Sequence, residues 1–287
     1  MRTTFFLSVL YLFIGYDISA QASIVTSEFP SLALPKIKVV PIADTQYDRQ
    51  YELYIKLPEA YSDTADILHP VIYYTDAMWH VEMLSGATEY MMENAILVGI
   101  SWQKDIDEEL RKERAHASRY RDYSIRESSN PSHQAKYQFG QAANHLDFIR
   151  NEVIPYVEST YRTDTDQRTY FGYSLGGEFG SYILLKQPDT FRNYILGSPS
   201  IRGEIPKLTE YHADAPASLD ANVLISYGTL EKEAGAEIDK LIALLKARED
   251  KSLALKPVVI EGSHQTAFPM TALRSIQWLS ELQKPQE

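Results

Sequence analysis

The sequence predicts an α/β fold with a mostly parallel central sheet and helices on both faces. Short continuous apolar runs, among them Val71-Ile72-Tyr73-Tyr74 and Ile96-Leu97-Val98, have the length and side-chain types of strands covered on both sides. Stretches with helical spacing lie between such runs, and the alternation continues from Ile37 to Leu282. No internal repeat, low-complexity tract or Pro/Gly/Ser-rich linker divides the chain, so residues 23–287 are expected to form one domain.

In chain order, Ile37 to Val40 and Tyr51 to Ile55 read as the first two strands, with turn chemistry from Asp44 to Asp48 between them. Val71 to Tyr74 is the third, Val81 to Met92 a helix, and Ile96 to Val98 the fourth strand. Leu146, Ile149, Val153 and Val157 fall at helical spacing, with Pro155 expected to kink that helix. There follow strand Arg168 to Phe171, helix Glu178 to Lys186, strand Phe191 to Leu196, strand Val223 to Ser226 and helix Ala234 to Ala247. The alternation closes with strand Leu255 to Ile260 and helix Ala272 to Leu282.

The start of the chain has a different character. Arg2 precedes an apolar run from Phe5 to Ile14, and Ala20-Gln21-Ala22 supplies a small-x-small site. These three parts predict a cleavable secretory signal peptide over residues 1–22, with a periplasmic or secreted product and no membrane attachment after cleavage. The run is too short for a span, which needs about 20 apolar residues.

The chain has 287 residues, a formal net charge of −11 and no cysteine. The charge excludes the basic stripe of a nucleic-acid binder. The missing thiols exclude disulfides, thiolate metal sites and a cysteine nucleophile. The histidines show no ligand spacing such as H-E-x-x-H, so neither a metal nor another cofactor is expected. A segment at about 103–139 breaks the alternation as an inserted loop. From Arg111 to Lys136 it carries seven basic against three acidic side chains, a local +4. An excursion after a strand's carboxyl end lies on the ligand side of an open α/β sheet.

The chemistry centres on Gly172-Tyr173-Ser174-Leu175-Gly176-Gly177, a G-x-S-x-G between a strand and a helix. The serine must sit on a turn so sharp that residues two away on either side can hardly carry side chains. Its backbone then opens a helix whose free N–H groups face developing negative charge. A serine hydroxyl needs a base, and the partners are expected in the order Ser, acid, His. Only His212 and His264 follow Ser174. His212 lies in a polar stretch after no strand, whereas His264 follows the last strand at the same sheet edge as Ser174. The acid should follow the preceding strand, where Glu231 and Glu233 both qualify and position favours Glu231. The oxyanion donors are expected at Leu175 and in the loop Thr75 to Trp79.

At these residues the chain resembles the esterase family of α/β-hydrolases, which includes esterase D-type S-formylglutathione hydrolases, feruloyl esterases, mycolyltransferases and ferric-siderophore (enterobactin-type) esterases. The likeness runs from about Lys56 to Trp278. It rests on V-I-Y-Y-T-D-A-M, F-I-R-N-E-V-I-P-Y-V-E-S-T-Y-R, R-T-Y-F-G-Y-S-L-G-G, Q-P-D-T-F, S-P-S, Y-G-T-L-E and G-S-H. It implies an α/β-hydrolase fold, with Ser174 as nucleophile, His264 as base, Glu231 as acid, and Leu175 and Met78 N–H groups as oxyanion donors. The family often has Asp-Gly where this chain has Asp76-Ala77. The implied activity is hydrolysis of small-molecule carboxylic esters, siderophore esters among them. The alternatives are an acyltransferase on the same residues or a non-catalytic binder on the same scaffold. Arg111, Arg114, Arg119, Arg121 and Arg126 are expected to receive an anionic substrate, with Tyr120 and Tyr123 stacking on its rings. Asp76 and Tyr173, beside the two loops, join Arg121 and Tyr123 as substrate-binding candidates.

Overall fold

A computed structural model describes residues 36–284; the expected signal peptide and the leader up to Pro35 lie outside the described residues. Eight strands form one sheet: β1 (Ile37–Asp44), β2 (Arg49–Lys56), β3 (His69–Tyr74), β4 (Ile96–Ile100), β5 (Thr163–Tyr173), β6 (Asn193–Gly197), β7 (Ala221–Gly228) and β8 (Leu253–Ile260). Their spatial order is β1-β2-β4-β3-β5-β6-β7-β8. The β1–β2 and β2–β4 pairs are antiparallel and all others parallel. This is the α/β-hydrolase fold that the sequence pointed to.

The apolar runs lie where two-sided burial requires them. Every residue of β3, β4 and β6 is buried. Helices α1 (Ala77–Met91) and α10 (His264–Leu282) cover one face, where Val81, Leu84, Ile276 and Leu279 pack on Ile72, Leu97 and Phe171. On the other face lie α5 (Ala142–Phe148), α6 (Ile154–Thr160), α7 (Leu175–Lys186), α8 (Ile205–Asp214) and α9 (Lys232–Lys246). Burying each large side chain of these layers contributes about 1.5–3 kcal/mol.

The order of strands positions the site. From β3 the chain moves to β4 on one side, and from β4 it crosses to β5 on the other. The carboxyl ends of β3 and β5 therefore meet where the winding reverses, the place at which open α/β sheets bind ligands.

The inserted segment folds as three short helices, α2 (Glu108–Glu113), α3 (Ser118–Tyr123) and α4 (Pro131–Tyr137). Glu108 and Lys112, one turn apart in α2, pair at 2.8 Å. Asp107 caps α2, accepting from the Glu109 and Leu110 N–H groups at 3.0 and 3.1 Å. Around Pro155 the helix is not simply kinked: a π-turn over Ile149–Val153 joins α5 to α6. A wider turn just ahead of the proline accommodates its missing N–H and its ring.

Helix starts are where sequence and structure differ most. α7 begins at Leu175 rather than Glu178, and α10 at His264 rather than Ala272. The glycines after Ser174 pack closely and stay helical. Ser263 makes a capping box with Thr266 that sets the start of α10. His212, expected in a loop, lies in the last turn of α8.

Candidate active site

Ser174 sits between the end of β5 and the first residue of α7 with φ 59° and ψ −120°, a conformation that non-glycine residues rarely adopt. The turn is fixed by its surroundings. The Ser174 N–H donates to the Gly197 carbonyl at 2.9 Å, and its own carbonyl accepts from Gly177, Glu178 and Ser200 at 2.9, 3.1 and 3.0 Å. A Cβ at Gly172 would overlap the Gly176 carbonyl, and one at Gly176 would stand 2.5 Å from Thr75 Oγ1. The glycine spacing is thus explained by close approach, and that approach brings the β3 loop against the serine turn. The Ser174 hydroxyl hydrogen-bonds to Ser200 Oγ at 3.1 Å.

His264 opens α10. Its Nδ1 lies 2.6 Å from Glu231 Oε1. The other oxygen of Glu231 accepts from the Gly228 N–H at 2.7 Å and from Ser198 Oγ at 2.8 Å. The Glu231 side chain is 7% exposed, whereas Glu233 is exposed and pairs with Arg202 at 3.1 Å. Of the two candidate acids, Glu231 is the one in contact with the imidazole. Tyr173 donates its hydroxyl to the His264 carbonyl at 2.5 Å, and burial, with a smaller contribution from the Glu231 charge, pushes that phenol up to about 12. It therefore holds the backbone of His264 as well as facing the cavity.

Ser174 and His264 open on one cavity of about 360 Å³, walled by Trp79, His80, Arg119, Tyr173 and Phe268. His80 donates from Nδ1 to the Thr75 carbonyl at 2.9 Å and stacks on Phe268 with ring centroids 4.7 Å apart. Burial lowers its pKa, favouring the neutral ring. A larger groove of about 810 Å³ lies at the amino ends of β5, β6 and β7, beside Asp166, Arg192 and Asp220, and holds none of the candidate residues.

The candidate oxyanion donors begin helices. Leu175 is the first residue of α7 and Met78 the second of α1, and neither N–H has a partner among the described residues. Asp76, expected to bind substrate, borders the same cavity but is 1% exposed, its carboxylate accepting from Arg119 and Trp102.

The cationic patch expected on the insert is largely neutralised within the protein. Arg121 is 9% exposed and donates to Asp122 at 2.7 Å and to the Tyr51 hydroxyl at 3.2 Å, so it does not reach the cavity. Counting charges along the chain cannot show that the adjacent aspartate takes up the arginine. Arg126 pairs with Glu204, and Arg114 donates to the Tyr120 hydroxyl. Tyr123 is buried under the loop, stacked on Phe179 at 5.7 Å, and cannot meet a ligand ring. Trp79, at 50% exposure, is an indole that does line the cavity. Sequence reasoning missed Ser198, Ser200, His80 and Phe268. The two serines were within reach, because both directly follow a strand at the same sheet edge as Ser174. Among the described residues no group of three His, Asp or Glu side chains is arranged to hold a metal ion.

Comparison with known proteins matches residues 45–265 to the family model Esterase, described as "Putative esterase". The ferri-bacillibactin esterase BesA of Bacillus subtilis is 27% identical over 220 residues, covering 70% of this chain and 73% of the relative. The siderophore triacetylfusarinine C esterase of Aspergillus fumigatus is 23% identical over 194 residues, covering 63% of this chain and 60% of the relative. Among solved structures, the BES protein of Bacillus cereus superimposes with a TM-score of 0.73 at 22% identity, covering 88% of this chain and 98% of that one.

Proposed function

The chain belongs to the esterase family, and from that premise we propose that it is a serine esterase cleaving carboxylic esters through an acyl-enzyme. The observation that carries this reading is the meeting, on one cavity, of a serine on a strained strand-to-helix turn and a histidine backed by a buried carboxylate. Glu231 holds the imidazole with its Nδ1 proton inward, which leaves the Nε2 lone pair for the serine. Ser174 Oγ leaves Ser200 by rotation about χ1 and gives its proton to His264 as it bonds to the ester carbonyl carbon. The Leu175 and Met78 N–H groups receive the oxyanion. Collapse breaks the bond to the alcohol oxygen, which takes the proton from His264. Water, deprotonated by the same imidazole, then adds to the acyl-enzyme, and its proton returns to Ser174 as the acid leaves.

The substrate class we infer is a bulky ester with aromatic arms, of the siderophore type. The names of the two relatives support it. So does the cavity itself, whose wall carries the half-exposed Trp79 ring and Phe268. Since the insert's arginines are mostly internally paired, apolar and aromatic contact rather than net attraction would hold such a ligand. The test is hydrolysis of a triscatecholate ester beside p-nitrophenyl acetate. Faster turnover of the former, abolished in Ser174→Ala and His264→Ala, is expected. Turnover of neither ester would end the reading.

The reading includes export. The basic, apolar and A-x-A parts of residues 1–22 support a cleaved leader. Among the described residues no helix is long and apolar enough to cross a membrane. Amino-terminal sequencing of the secreted or periplasmic product should begin at Ser23; a product retaining Met1 would contradict export by cleavage.

A further inference from the structure

Asp76 precedes α1 in the position where an aspartate normally caps a helix. Such a residue takes an extended backbone and accepts from the second or third N–H of the first turn. Here it does neither. Its backbone is left-handed, φ 54° and ψ 44°, and its side chain makes no cap hydrogen bond. The carboxylate instead accepts from Arg119 Nε at 2.8 Å, Arg119 Nη2 at 2.9 Å and Trp102 Nε1 at 2.7 Å. Its own N–H donates to the Tyr123 hydroxyl at 3.4 Å. All three partners belong to the inserted segment or the stretch that leads into it. Arg119 is itself fixed, 8% exposed, with its guanidinium 5.1 Å from the Trp79 ring centroid and 5.8 Å from that of Tyr123.

This diversion has a consequence for the first turn of α1. The Ala77 and Met78 N–H groups are left without a partner among the described residues, beside the serine turn that Thr75 touches through Gly176. A carboxylate in the ordinary capping position would occupy the Met78 N–H, the second of the turn, and set a negative charge where another must develop. We propose that Arg119, assisted by Trp102, is a positioning residue that holds the Asp76 carboxylate off the α1 N-terminus and so keeps the Met78 N–H open to the oxyanion. Bidentate geometry makes Arg suited to the task, because two parallel N–H donors fix the orientation of the carboxylate as well as its charge. The inference rests on the serine-esterase reading and on Leu175 and Met78 as the donors.

The test compares p-nitrophenyl acetate with its thiono analogue, whose C=S is a poorer hydrogen-bond acceptor and gains less from an oxyanion hole. In Arg119→Met, kcat on the oxoester should fall about 10²-fold with KM little changed, as for loss of one donor. The thionoester should lose much less, so the oxo-to-thiono rate ratio shrinks. Adding Asp76→Gly to Arg119→Met removes the side chain that could cap the helix, at a left-handed position glycine accepts, and should recover part of the oxoester rate. An oxo-to-thiono ratio equal to the parent's, or a double variant slower than Arg119→Met, overturns the proposal. Trp102→Phe removes a single donor and keeps the ion pair, so it serves should Arg119→Met fail to fold by thermal melting. It should shift the ratio in the same direction by less, and an unchanged ratio counts equally against the proposal. A parent inert toward both esters would take down the esterase reading and this inference together; an active parent with an unaltered ratio in the variants overturns only the role of Arg119.

Discussion

His264 Nδ1 stands 2.6 Å from Glu231 Oε1, and the carboxylate's second oxygen is held by the Gly228 N–H and Ser198 Oγ. The imidazole is therefore oriented by a group that is itself anchored through its other oxygen. Such support keeps a base in one tautomer through a catalytic cycle.

Glu231→Gln removes the charge facing the imidazolium and should lower kcat for p-nitrophenyl acetate by about 10²–10⁴-fold. Glu233→Gln, at an exposed position paired with Arg202, should stay within about twofold. Steady-state kinetics of the two variants checks the assignment, and a reversed order would transfer the acid's role to Glu233.

Ser200→Ala frees the Ser174 hydroxyl from the partner it has in this structure. A neutral hydrogen bond is worth about 0.5–1.5 kcal/mol. The rate of acylation, read as the burst in p-nitrophenol release, should rise by a few-fold. A large loss would instead make Ser200 part of the catalytic apparatus.

Trp79→Ala should raise KM for an ester of 2,3-dihydroxybenzoate by about fivefold and leave kcat for p-nitrophenyl acetate nearly unchanged. The half-exposed indole at the cavity wall is positioned to stack on an aromatic arm, an interaction of about 0.5–1.5 kcal/mol. Equal losses on both esters would mean that the ring supports the loop and not the ligand.

Glu178, one turn beyond Ser174 in α7, is buried, and desolvation raises its carboxyl from 4.5 to about 8 although it accepts from the Ile125 N–H at 3.0 Å. Below about pH 4.5 the group is protonated in folded and unfolded chains alike and does not affect stability. Between there and pH 8 the unfolded chain releases the proton and the folded one keeps it, so stability falls as pH rises. Glu178→Gln keeps the acceptor without the titration. Its melting temperature should exceed the parent's by several degrees at pH 8, and the difference should vanish near pH 4. A gap independent of pH would place the proton elsewhere.

Much of the site was legible because the chemistry constrains the chain locally. A serine flanked by glycines at the end of an apolar strand leaves few alternatives, and His264 followed from its place after the last strand. The environment of Asp76 was not legible. An Asp before a helix reads as an ordinary cap, and only the fold brings Trp102 and Arg119 to it from the insert. Arg121 was misplaced for a related reason: a local charge of +4 says nothing of which cations are already paired, and Arg121 spends its guanidinium on Asp122 and Tyr51. The pattern places the starts of α7 and α10 later than Leu175 and His264 because residues chosen for chemistry or close packing, such as Gly176 and Gly177, carry poor helical propensity.

The central claim is that Ser174 is an activated nucleophile. Incubation with a fluorophosphonate, digestion and peptide mapping tests it most directly. One adduct per chain on the peptide containing Ser174, lost in Ser174→Ala and much slowed in His264→Ala, is the predicted result. Hydrolytic activity that persists without an adduct at Ser174 would contradict the account.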